Sequence, residues 1–109
     1  MIIASRTLKM TAPSGAIDVR IDIFQPTQDN GEWTCRYVVD WPDTPWESYA
    51  AGHDAVQALF SAMQKIGVEL YASNESKAGH LTWDDWKGFG FPVPQNMRDR
   101  LIGDDAKFL

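Results

Sequence analysis

Residues 52–73, GHDAVQALFSAMQKIGVELYAS, are the one stretch of this 109-residue chain long and periodic enough to specify a helix unaided. Val56, Leu59, Phe60, Met63, Ile66, Gly67, Leu70 and Tyr71 recur at three- and four-residue spacing, while Gln57, Ser61, Gln64, Lys65 and Glu69 fall mostly elsewhere on the wheel. A one-sided apolar stripe of this kind needs a surface to cover. Asp54 stands where a side-chain oxygen can take an orphan amide of the first turn, in a position that favours negative charge. The run NESKAG (74–79) ends the helix with side chains that compete for backbone hydrogen bonds and a glycine that accepts positive φ. Gly67 lies inside the stripe at a cost of up to about 1 kcal/mol relative to alanine. Its missing Cβ is expected to let the helix approach a sheet closely.

That sheet is expected from the residues before the helix. Ile17, Val19, Ile21 and Ile23 alternate with Asp18, Arg20 and Asp22, the period-two pattern of a half-buried strand. Ile2 to Met10 mixes β-branched and polar residues without helical period, and Ala12 to Gly15 supplies a turn between the two. Asn30-Gly31 suits a reversal with positive φ. The strand that follows, Glu32 to Trp41, places Trp33, Cys35, Tyr37, Val39 and Trp41 on one side. Three antiparallel strands in a meander, with the helix across their apolar face, satisfy both patterns. Pro42 and Pro45 make residues 42–46 a loop that carries the chain to the helix. Beyond it, residues 80–83 and 86–91 read as short extended pieces around Asp84-Asp85, a small edge hairpin cut off by Pro92 and Pro94. Asn96 can cap a short last helix that Gly103 closes, and Asp104, Asp105 and Lys107 suggest a frayed end. The expected fold is a single α+β domain spanning residues 1–109.

Composition narrows the function classes. Lys plus Arg total 10 against 15 for Asp plus Glu, a net charge of −5 that argues against neutralising nucleic-acid phosphates and suits a basic protein partner. The one cysteine, Cys35, forms no internal disulfide and reads as a small buried hydrophobe. MIIASRTLKM does not have the form of a signal peptide, and no apolar run approaches the ~20 residues needed to span a bilayer. A soluble cytoplasmic protein with no membrane association is the expectation.

Candidate chemistry is sparse. His53 beside Asp54, and His80 four residues before Asp84, are the residues with titration near neutrality or metal affinity. A His80, Asp84, Asp85 metal site needs more ligands than the spacing supplies, so histidine at a solvated turn is the simpler reading. Adjacent Asp84 and Asp85 diverge along an extended chain and make no ready acid–base pair. Gly88-Phe89-Gly90-Phe91 lacks the lysine and the following helix of a phosphate loop; its glycines read as close backbone packing. No catalytic residue, metal or cofactor is implied.

The aromatics say more. Trp33, Trp41, Trp46, Trp83, Trp86, Phe89 and Phe91 gather in one strand and in the two loop-rich stretches flanking the helix. Trp46, Trp83, Trp86 and Phe89, rimmed by acids such as Asp84 and Asp85, form a candidate partner-binding surface, or the inner face of a homodimer. The competing reading is that they roof the helix and close the ends of the core.

Taken together, IIASRTL near the start, GHDAVQAL and GVELYAS in the helix, and the late GFGFPVP and GDD resemble a family of small uncharacterised bacterial proteins. The likeness covers most of the chain and implies no activity and no catalytic residue. Two function classes follow from the residues. One is an acidic, non-enzymatic protein-binding domain of adaptor or immunity type. The other is an enzyme or small-ligand binder with a pocket between the helix and the C-terminal aromatic segment, His53 or His80 at its mouth.

Overall fold

A computed structural model describes residues 1–109. The fold is α+β: an antiparallel sheet, one main helix across it and a short C-terminal helix. β1 (Ile2–Ala12) and β2 (Gly15–Phe24) pair along their length, turning through Pro13-Ser14. Pro26, without an amide to donate, interrupts the second strand, and β3 (Thr27–Asp29) resumes its line. Asn30 and Gly31 both take positive φ, 51° and 80°, and return the chain into β4 (Glu32–Val39) as expected of this pair. β4 thus meets β2 through Val39 and Tyr37, and β3 through Thr34 to Glu32.

Two features of the sheet depart from expectation. The loop after β4, residues 40–45, does not carry the chain to the helix, because Trp46–Gly52 is a further strand, β5, paired with β4 from Trp46↔Val39 to Gly52↔Trp33. WESYAAG has no valine or isoleucine to announce a strand, and its place is set by tertiary pairing. Strand β4 also ends at Val39, so Trp41 leaves the sheet; its indole donates to Glu69 Oε1 at 3.1 Å instead. At the other edge β6 (Leu81–Thr82) pairs with β1 at Met10 and Lys9. The expected hairpin around Asp84-Asp85 is reduced to a single Trp83↔Trp86 bridge, because Leu81–Thr82 pairs with β1 and the residues after Trp86 form no strand.

Helix α1 (Ala55–Ala72) begins where the sequence indicates: Asp54 accepts from the Gln57 amide at 2.7 Å. Its buried face is rotated from the expected one. Ala58, Ala62, Ile66 and Leu70 are fully buried, and Gly67 and Tyr71 are buried beside them, whereas Val56 is 74% and Phe60 51% exposed; Leu59 and Met63 are half-buried. Small residues cause the rotation, since Ala58 packs on Gly52, where any Cβ would strike the helix backbone. Gly67 also differs from expectation: a Cβ there would collide with the Pro92 carbonyl, so the close approach is to the C-terminal segment and not to the sheet. Ser73 ends α1, its hydroxyl donating to Leu70 O and accepting from the Ser76 amide that opens α2 (Asn74–Lys77).

The C-terminal segment, Phe89 to Val93, roofs the β1 side of the sheet and contributes Phe89, Phe91 and Val93 to the core beside Leu8, Val19, Ile21 and Tyr37. Asn96 caps nothing: residues Gln95–Arg100 form a 3-10 turn after Pro94 with no side-chain cap. Gly103 opens a helix instead of closing one, at φ 50°, and α3 (Gly103–Phe108) follows. The opposite face of the sheet carries the ion pairs Lys9–Asp18, Arg20–Asp22 and Arg36–Glu47 and is open to solvent.

Candidate functional site

The polar residue buried most completely is Asp105, in the acidic segment expected to fray. Its Oδ1 accepts the Trp86 indole N–H at 2.6 Å and the Gly90 amide at 2.9 Å. Its Oδ2 accepts the Tyr71 hydroxyl at 2.5 Å and the Phe89 amide at 2.8 Å. The glycines of GFGF make this possible. Gly88, at φ 125°, lies where a Cβ would fall on the Asp105 carboxyl, and Gly90, at φ 72°, lies against Trp83 and Arg6. Burial, reinforced by the bond to Asp105, pushes the Tyr71 phenol well above its ordinary range. Asp104 ties the same loop from outside, accepting from the Lys87 amide at 2.8 Å while its own amide donates to Lys87 O at 2.7 Å.

Arg6 completes the cluster. Its guanidinium donates to the carbonyls of Phe89 and Gly90 at 3.1 and 2.9 Å and lies over the Trp83 ring, 3.7 Å from the centroid. Burial lowers its pKa and attraction to Asp105 opposes that. All four donors around Asp105 are matched, and no buried side-chain nitrogen or oxygen of the chain lacks a partner. The arrangement is therefore a clamp that fixes residues 86–90 and α3 onto α1.

The residues singled out in the sequence divide accordingly. Trp83 and Trp86 pack at 5.7 Å between centroids and are half-buried; Phe89 is 2% exposed against Tyr71; Asp84 and Asp85 form the exposed turn between the two tryptophans. Trp46, 47% exposed, stands on β5 at the other edge of the sheet and does not join them. The two histidines are apart as well. His53 borders a polar hollow with Asn30, Glu32 and Gln57, and His80 is exposed after α2. His80, Asp84 and Asp85 do not converge into a group of three metal donors. Cys35 is buried, its thiol donating to Phe24 O at 3.3 Å and pushed up in pKa by burial.

A different surface is left open. Because α1 turns its alanines to the sheet, Leu59 and Met63 line an apolar groove of about 220 Å³ with Ile3, Ile21, Ile23 and Phe91. Val56 and Phe60 lie one turn apart on the helix beside Leu59 and Met63, so the groove and the exposed shoulder of α1 are continuous. Arg6 and Ser5 are the polar side chains at its wall. The groove lies between the helix and the C-terminal aromatic segment, where the sequence places a pocket, but neither histidine borders it. The spacing 58-62-66-70 was available in the sequence as a second stripe; two alanines made it weaker than the one containing Val56 and Phe60.

No curated protein and no solved structure matches this chain. One family model does, over residues 4–93, a span that includes Arg6, the groove-facing part of α1, Tyr71, Trp86 and the GFGF loop but stops short of Asp105. The chain belongs to that family, described as a domain of unknown function (DUF6968).

Proposed function

We propose that this chain is a non-enzymatic protein-binding domain of adaptor or immunity type, which docks an apolar segment of a basic partner on the shoulder and groove of α1. The supporting observation is the exposure of Val56 and Phe60 beside a groove lined by Leu59, Met63, Ile3 and Phe91. Large apolar side chains continuous with a concavity are the usual form of an anchor site. At this groove, volume favours the anchor reading over the small-ligand one. About 220 Å³ falls below the roughly 300–1,000 Å³ of small-molecule sites but accommodates one or two inserted side chains. The net charge of −5 favours encounter with a basic partner over an acidic one.

The test uses the products of the genes adjacent to this one, titrated against the wild-type chain and against Val56→Ser/Phe60→Ser by calorimetry. Binding by one product, weakened at least tenfold in the double variant, supports the proposal. Binding that the variant leaves unchanged contradicts the assigned surface, and turnover of a small molecule in the groove favours the alternative.

A further inference from the structure

The two edges of the sheet are covered unequally. At β1, β6 pairs with Lys9 and Met10, the Thr11 amide donates to His80 O and the Arg6 side chain reaches the Phe89 and Gly90 carbonyls, while the rest of the outer edge, towards Ile2, carries no strand. At β5 nothing pairs beyond Trp46–Gly52. The direction of its backbone groups follows from β4. The Asp40 amide bonds Arg20 O and Val38 sits opposite Asp22, so even-numbered residues of β4 turn their main chain towards β2 and odd-numbered ones towards β5. Val39, Tyr37, Cys35 and Trp33 are the partners of Trp46, Ser48, Ala50 and Gly52. Glu47, Tyr49 and Ala51 therefore point their N–H and C=O off the sheet. The Tyr49 carbonyl shows this independently, since it accepts Lys65 Nζ at 2.8 Å.

We propose that two copies of this chain associate through β5, pairing antiparallel about a two-fold axis at Tyr49. The usual guards of an edge are thin here. Trp46–Gly52 contains no proline and one charge, Glu47, which Arg36 of β4 pairs, and of the outward carbonyls the Tyr49 one is held by a cation, Lys65. A second copy fits this edge better than an arbitrary strand because the register is self-complementary. About the axis, Glu47 of one copy faces Ala51 of the other, so no like charges meet, and Tyr49 faces its own counterpart on the solvent side of the sheet as an aromatic cross-strand pair. Tyr49 is 57% exposed and has area to cover. Lys65 must leave the Tyr49 carbonyl for the central bonds to form, which makes it a guard that weakens the association without preventing it.

Sedimentation velocity over a concentration series of the full chain tests this. The expected result is a rise from the 12.3 kDa monomer towards twice that mass, abolished by Ala51→Pro. Proline there removes an N–H that the fold itself does not use. Lys65→Ala is expected to lower the dissociation constant several-fold, and this readout holds if Ala51→Pro fails to fold. A chain that stays monomeric throughout, a dimer that survives folded Ala51→Pro, or a Lys65→Ala variant with unchanged or weaker association overturns the proposal.

Discussion

The Asp105 carboxylate accepts the Trp86 indole N–H at 2.6 Å, joining the last helix of the chain to the tryptophan that follows the Asp84-Asp85 turn. Three further donors share that carboxylate, so one aspartate in the final turn of sequence holds the aromatic segment in place. The tryptophan surplus that suggests a binding surface is in part internal architecture, and the exposed apolar area lies instead on α1 and β5.

Removing the acceptor strands its donors. Asp105→Ala leaves an indole N–H, a phenol and two amides without partners inside the protein, each worth about 1–3 kcal/mol, and is expected to destabilise by roughly 3–5 kcal/mol in urea unfolding. A loss below about 1 kcal/mol would mean that water replaces the carboxylate readily.

Alkaline pH should weaken the fold through Tyr71. Its phenol is held protonated above the unfolded value, so its contribution is fully present below about pH 10 and is lost as pH rises through the folded value. Urea midpoints measured between neutrality and the highest pH at which the chain stays folded should fall more steeply above that point for wild type than for Tyr71→Phe. Parallel curves would assign the alkaline loss to other groups.

Gly67→Ala pits two effects against each other. Helix propensity gains up to about 1 kcal/mol, but the new methyl meets the Pro92 carbonyl, a backbone atom that cannot swing away. Overpacking of this kind costs about 1–3 kcal/mol, so the variant is expected to be less stable by calorimetric melting. A raised Tm would show that residues 89–93 yield.

The rotated face of α1 gives a contrasting pair. Phe60→Ser should leave stability within about 0.5 kcal/mol, because the ring is half in water, whereas Ile66→Ala should cost about 2–5 kcal/mol. Equal losses would return Phe60 to the core.

The sequence carried the frame of the fold through its strongest periodicities. Ile17 to Ile23, Trp33 to Val39 and the Asn30-Gly31 reversal read directly as antiparallel strands, and Asp54 as the cap of the helix, since each signal is local. The rest depended on long-range partners. β5 is a strand because β4 is beside it, and α1 turns Ala58 and Ala62 inward in place of Val56 and Phe60 because Gly52 accepts Ala58, a contact no hydropathy pattern reports. Asp105 looked like a solvated acid because its four donors come from α1 and from residues 86–90, both distant in sequence. Of the residues first grouped as one surface, Trp83, Asp84, Asp85, Trp86 and Phe89 are neighbours through sequence; Trp46 and the groove of α1 needed the folded chain to be placed.

Native-state hydrogen exchange at the Trp86 indole and the Phe89 and Gly90 amides bears most directly on the clamp from which this arrangement of faces follows. In the wild-type chain all three should exchange only with global unfolding, and in Asp105→Asn they should lose protection together while the amides of β2 and β4 keep theirs. Exchange of these three protons in the wild type at rates typical of an open loop would contradict the account.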